Sequence, residues 1–377
     1  MRSRETLAGA RVSVTGVYFL NGAVFSAWYA RLPAIQERLD LSPGELGIAL
    51  LGAPLGLLAA QPAAGALAAR VGSRPVVAAA PLYLGAVVLP ALAVDLPTLL
   101  VAVLLVGAAN GVLDIAMNAQ GLAVERAARA QLFSSLHAAF SFGALAGAAL
   151  SGAVAAAGIA PLPHLAASAA VGAAVAAALT PRLLHDRGDA RSPRFARPSR
   201  RLAVLGVIAF CALLAEGAVF DWSSVYLRTE ADASAGLAPL GLAAFSLLMG
   251  VGRLLADHSA ARAGAAATAR GGALLAALGL GLALALAAPA PAIVGFALMG
   301  FGLSAVFPLT LRASGYAGEA PAPSLAAVST LGYTGFLAGP PLIGLLAEAS
   351  DLRVALALVC LLCCLAAALA TQVQDGD

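Results

Sequence analysis

The chain has 377 residues, of which 61% are hydrophobic and 11% charged, with a formal net charge of +3. Soluble domains run at roughly 45–50% apolar and about 25% charged, so a water-soluble fold of this size has nowhere to hide so much apolar surface. A soluble enzyme is thereby excluded. A lone signal sequence is excluded too, because apolar runs long enough to cross a hydrocarbon core of about 30 Å recur from end to end.

Read between proline, glycine and charged punctuation, the sequence predicts spans near residues 11–29, 44–68, 75–94, 97–122, 132–157 and 161–179. Six more follow near 202–226, 237–256, 268–288, 290–311, 325–346 and 352–370. The expected fold class is an all-α membrane protein of about 12 transmembrane helices. Two six-helix bundles, 1–180 and 202–377, flank a polar linker at 181–201 that is rich in arginine.

All 22 basic residues are arginines. Short cytoplasmic loops accumulate Arg and Lys. With the amino terminus inside, every arginine except Arg31, Arg38, Arg228 and Arg353 falls on the cytoplasmic side. A miscount by one helix would scramble this bias, so both termini are expected in the cytoplasm. The linker reads HDRGDARSPRFARPSRR and is expected to anchor the topology, a regulatory or lipid-binding role being the alternative. Arginine in place of lysine, with heavy use of alanine and glycine, suggests a GC-rich bacterial genome, so the expected location is a bacterial inner membrane. Cys211, Cys360, Cys363 and Cys364 lie in apolar runs and read as small hydrophobes, with no metal site expected.

Two loops in equivalent places of the halves look alike. One is GALAARVGSRP, from Gly65 to Pro75, and the other is GRLLADHSAARAG, from Gly252 to Gly264. Glycine lets two helices approach closely, and the arginines beyond it can bond helix carboxyl ends or carboxylates, latching the inner face. Gly65, Arg70, Gly72 and Arg74, and again Gly252, Arg253, Asp257 and Arg262, resemble the signature loop of the major facilitator superfamily, although Ala69 stands where that family has aspartate. NGAVFSAWYARLPAIQ, NGVLDIAMNAQG and LGYTGFLAGPPLIGLLAE further resemble its bacterial sugar-permease-like branch, near the fucose permeases. The resemblance implies two bundles rocking about a site at the membrane midplane.

Acids inside hydrocarbon are costly and mark function by default. Asp114 lies in the fourth span with Asn110 one turn before and Asn118 one turn after, all on one helix face. The stripe reads as the wall of a substrate or proton cavity, or else as a polar contact between helices. The resemblance matches Asp114 to a carboxylate that matters for proton coupling, whereas the partner acid of the first helix falls at Tyr29. Glu216, in the seventh span, is a second cavity candidate; Asp221 reads more simply as a cap or surface pair. His137, Asn21, Gln61 and Tyr333 add further polar groups. Trp28 and Trp222 read as markers of the external interface. Gly335, Gly339, Pro340, Pro341 and Gly344 suggest a kinked gating helix.

The predicted function is secondary active transport of a small polar, sugar-like solute by alternating access, with protons as one source of drive. Without any lysine there is no GxxxxGK phosphate loop, so ATP is not the direct energy source. Export of drugs or metabolites by the same fold is the alternative. Further alternatives are a membrane-embedded enzyme, for which neither HExxH nor a nucleophile–base pair is present, and a transporter-derived sensor, for which the ending TQVQDGD offers no added domain. No enzymatic activity, cofactor or nucleic-acid partner is expected. The expected partners are the solute, protons and the lipid bilayer, with a monomer as the functional unit.

Overall fold

A computed structural model describes residues 2–130, 132–185, 199–317 and 321–374, and all regular structure among them is helical. Most of the predicted linker, including Arg187, Arg191, Arg194 and Arg197, lies outside the described residues. The long helices are α1 (Arg2–Tyr29), α2 (Pro43–Val71), α3 (Ser73–Leu92), α4 (Leu96–Ala128), α5 (Phe133–Ala156), α6 (Pro161–Arg182), α7 (Arg200–Thr229), α8 (Leu240–Ala263), α9 (Ala265–Leu286), α10 (Pro289–Gly315), α11 (Pro323–Ala349) and α12 (Leu352–Gln372). Among the described residues, the 11 helices from α2 to α12 are each long and apolar enough to cross a membrane.

Local chemistry explains where these helices begin and end. Asp95, Ser199 and Asp351 precede α4, α7 and α12, and each side chain accepts a bond from the backbone N–H three residues on. An N-cap of this kind satisfies one of the helix's orphan donors. At Asp95 the Thr98 hydroxyl and N–H also hold the carboxyl below its usual range. Helices α2 and α8 both end at glycine, Gly72 and Gly264, each with φ of 84°. Each glycine N–H bonds the carbonyl four residues back, on Ala68 or Ala260. A positive φ of this kind suits glycine because no Cβ is present to clash.

These ends correct one expectation. The motif residues beyond the predicted span ends at 68 and 256, through Arg70 and Arg262, are helical and not loop. Alanine, leucine and arginine are strong helix formers, so the helix runs on through the motif until a glycine at positive φ stops it. The predicted kink at Pro340 and Pro341 likewise lies within an unbroken α11.

Chain contacts fall into two units, Met1–Leu41 with Ile48–Ala190, and Ser42–Gly47 with Arg191–Asp377. In unit 1, α1 packs on α5 and α2 on α4. In unit 2 the same order recurs, α7 on α11 and α8 on α10. Glycine makes these crossings possible. A Cβ added to Gly143 or Gly147 would collide with the carbonyls of Phe19 or Ala23 on α1, and one on Gly107 would collide with that of Ala53 on α2. In unit 2, Gly335 meets the Phe210 carbonyl and Gly300 that of Phe245 in the same way. Lipid supplies no hydrophobic drive for helix association, so van der Waals contact through small residues must hold the bundle together.

Replacing Gly107 by valine should therefore cost about 1–3 kcal/mol through overpacking. Gly65→Ala should cost almost nothing, because nothing lies within 4 Å of a Cβ there. The check is the thermal midpoint of each variant purified in detergent. Equal losses in the two variants would defeat the close-contact account.

Candidate functional site

Unit 1 carries a polar network on the inner faces of α1, α3, α4 and α5. The α4 stripe forms as its spacing predicts. Asn118 donates through Nδ2 to the Asp114 backbone carbonyl at 2.8 Å and to its carboxylate Oδ1 at 3.0 Å. The Asn118 Oδ1 accepts from the Tyr18 hydroxyl at 2.6 Å. Asp114 lies about 27 Å along α4 from Leu96, at 1.5 Å per residue, so this chain of bonds sits well inside the span.

Tyr83, from α3, lies close enough to Asp114 to feel its charge. Its hydroxyl is buried and has no partner. Asn21 donates to the Met117 sulfur at 3.6 Å, leaving its own Oδ1 without a partner. The Oδ1 of Asn110 is buried and unpartnered as well. His137 stands edge-on to Tyr18, with ring centroids 5.4 Å apart. Its Nδ1 is 3.0 Å from the Phe133 carbonyl. That contact requires the proton on Nδ1, so in the neutral ring Nε2 is the acceptor.

The structure thus brings Asn21, Asn110, Asp114, Asn118 and His137 to one side of unit 1, and adds Tyr18 and Tyr83, which the sequence reading missed. Both are phenols set within apolar runs, a signal available in a chain with only 6 tyrosines. Gln61, on α2, is half-buried and has no described partner in this network.

Unit 2 is built on a different chemistry. Glu216, midway along α7, pairs with Arg253 of α8 at 3.1 Å, with both side chains 15% exposed. Arg253, a residue of the second motif, lies within helical α8, and its guanidinium reaches across to the Glu216 carboxylate on α7. Asp221 is buried one turn farther along α7, a departure from the expected surface pair. The neighbouring Ser223 and Ser224 hydroxyls and the Ser246 hydroxyl on α8 are buried without partners. Tyr333 stacks on Phe336 of the same helix, with centroids 6.4 Å apart. Trp28 and Trp222 are both fully buried, which overturns the interface reading; each lies on the packed side of its helix.

At the Gly72 end of unit 1, Arg74 reaches the His185 ring, 2.5–3.0 Å from its two nitrogens. Gln120, wholly buried on α4, donates to the Ser73 hydroxyl and to the Leu184 carbonyl, both at 2.8 Å, and accepts from the Leu184 N–H at 3.1 Å. These bonds strap residues 183–185 across the start of α3. Arg70, Asp257 and Arg262 are exposed.

A pair such as Glu216–Arg253 should show strong coupling, because removal of either partner leaves an uncompensated charge. In a double-mutant cycle of Glu216→Gln and Arg253→Gln, the double variant is expected to recover about 1–3 kcal/mol relative to the sum of the singles. Additive losses in thermal unfolding would show that the two residues act independently.

Comparison with known proteins adds four findings. The family model described as Major Facilitator Superfamily matches residues 14–319. An uncharacterized MFS-type transporter of Yersinia pestis is 35% identical over 374 residues, covering 96% of this chain and 95% of its own. Among solved structures, a bacterial homolog of the human lysosomal transporter Spinster superposes with a TM-score of 0.73 at 14% identity, covering 98% of this chain and 97% of that one. The E. coli fucose:proton symporter FucP superposes with a TM-score of 0.63 at 16% identity, covering 97% and 98%.

Proposed function

The chain belongs to the major facilitator superfamily, and on that ground we propose that it is a secondary transporter of a small, hydroxyl-bearing polar solute. The observation that supports this reading is the set of buried groups around Asp114 that lack partners. If the stripe were only a contact between helices, its donors and acceptors would be matched, since an unmatched polar group in an apolar environment costs roughly 1–3 kcal/mol. Among the described residues, the oxygens of Asn21 and Asn110 and the hydroxyl of Tyr83 are instead unmatched. A polyhydroxylated ligand carries both donors and acceptors and can satisfy all three.

Within this reading Asp114 is the group that accepts substrate hydroxyls and carries a proton. Asn118 fixes the carboxylate rotamer, and Tyr18 in turn fixes Asn118. The neighbour named as a fucose:proton symporter is in keeping with this assignment. Glu216 and Arg253 supply the polar part of the second bundle. Access alternates as the two six-helix bundles rock about the solute. The arginine bias supports termini on the cytoplasmic side, and the composition supports a bacterial inner membrane as the location.

A thermal-shift screen of the purified protein with sugars, polyols and nucleosides identifies the solute, because a ligand that binds the folded state raises its midpoint. With that solute in proteoliposomes, Asp114→Asn should abolish accumulation driven by a pH gradient while leaving solute exchange in place. Tyr18→Phe removes one hydrogen bond worth about 1 kcal/mol and should lower uptake about fivefold. Unchanged uptake by Asp114→Asn at every pH would overturn the proton role. Stabilisation by lipophilic cations alone would replace the polar-solute reading with efflux.

A further inference from the structure

A second group of buried polar side chains lies at the other end of unit 1 from Arg74 and His185. Arg31 lies two residues past the end of α1 and occupies the N-cap position of the short helix Leu32–Leu39. It is only 4% exposed. Its Nη2 donates to the carbonyl of Ile159, in the turn between α5 and α6. Its Nε and Nη1 are buried without partners. No carboxylate among the described residues pairs with it, and burial lowers its pKa with no acid to offset the effect.

His164 stands in the first turn of α6, 5% exposed and within electrostatic range of Arg31. Neither of its ring nitrogens has a partner among the described residues. Trp28, one turn before Arg31 on α1, is fully buried, and its indole N–H is unpartnered too. Three side chains, one on α1, one on α6 and one in the turn after α1, therefore carry unused N–H groups toward one end of unit 1.

The surroundings disfavour a lone cation. Arg31 sits between the carboxyl end of α1, whose dipole favours a cation, and the start of the short helix, whose dipole opposes it, while His164 lies in the first turn of α6. The only described acceptor for the guanidinium is the single Ile159 carbonyl. The guanidinium and the indole can only donate, and guanidinium stays protonated in proteins. A water molecule brings no charge and only two acceptor lone pairs. A carboxylate or phosphate group brings negative charge and at least four, and arginine binds such groups in a matching fork.

We propose that Arg31, His164 and Trp28 form a binding site for one oxyanion, a carboxylate or phosphate group, covered by the turn between α5 and α6. Residues 157–160 of that turn are exposed, and Gly158 adopts a φ of 73°. Moving this turn releases the Ile159 carbonyl and frees Nη2 as a further donor. The oxyanion belongs either to a soluble small acid or to a phospholipid headgroup.

The chain has 2 tryptophans, so Trp222→Phe leaves Trp28 as a local reporter. In detergent, sodium phosphate titrated against sodium chloride at equal ionic strength should change Trp28 emission saturably and raise the thermal midpoint. Nanodiscs of phosphatidylcholine, with and without phosphatidylglycerol, provide the second arm. A response to phosphate assigns a soluble acid, and a response to phosphatidylglycerol alone assigns a headgroup. Either response should weaken at least tenfold in Arg31→Gln and in His164→Gln. The histidine variant carries the comparison if the arginine variant does not fold. No response to either probe, or an unweakened response in His164→Gln, overturns the site.

Discussion

Backbone-to-backbone contact at glycine is the constraint on which the rest of this structure depends. Inside a bilayer the lipid tails are as apolar as the side chains, so apolar surface alone does not choose which helices meet. Where Gly107 lies against Ala53, or Gly143 against Phe19, a side chain of any size would hold the helices apart. These contacts determine that the first helix of unit 1 meets the fifth and the second meets the fourth, and the same pairing recurs in unit 2. Once the crossings are set, the remaining faces of each helix point in fixed directions, and the polar stripe of α4 is one of those faces.

Polar groups held within such a bundle fall into three classes by how they are satisfied. Asp114, Asn118 and Tyr18 form a closed chain of bonds. Glu216 and Arg253 neutralise each other. Asn21, Tyr83 and Asn110, and separately Arg31, His164 and Trp28, retain unused donors or acceptors. Burying such groups without partners costs free energy. Their persistence fits places where a ligand supplies the missing partner. The first set, two amide oxygens and a phenol hydroxyl on α1, α3 and α4, the last of which also carries the Asp114 carboxylate, suits a hydroxylated solute. The second set has mainly donors and a fixed positive charge and suits an oxyanion.

The ends of the helices show a comparable economy of polar groups. Glu125, near the end of α4, accepts the backbone N–H groups of Leu132 and Phe133 at 2.7 and 3.0 Å and so caps α5 from a neighbouring turn. Gln120 uses both ends of its amide on Leu184, and Arg74 holds His185. The chain leaving unit 1 is thereby tied to the junction of α2 and α3. The glycine-and-arginine motif at that junction acts through its neighbours: Gly72 turns the chain, and Arg74 holds the segment that follows α6.

The sequence by itself determined the positions of the helices and the solvent they require, because composition and the spacing of apolar runs are local properties that survive any arrangement. It also determined the α4 stripe, since Asn110, Asp114 and Asn118 share a face by helical periodicity alone. Where the motif helices stop was legible only in part: Gly72 and Gly264 are visible as glycines, but their positive φ is not. Tertiary structure decided the partners. Nothing in the order of residues shows that Tyr18 reaches Asn118 across 100 positions, that Arg253 pairs with Glu216, or that Trp28 and Trp222 face inward. Such pairings depend on which helix surfaces meet and at what rotation, and that is settled by the close contacts at glycine, which only the folded bundle displays.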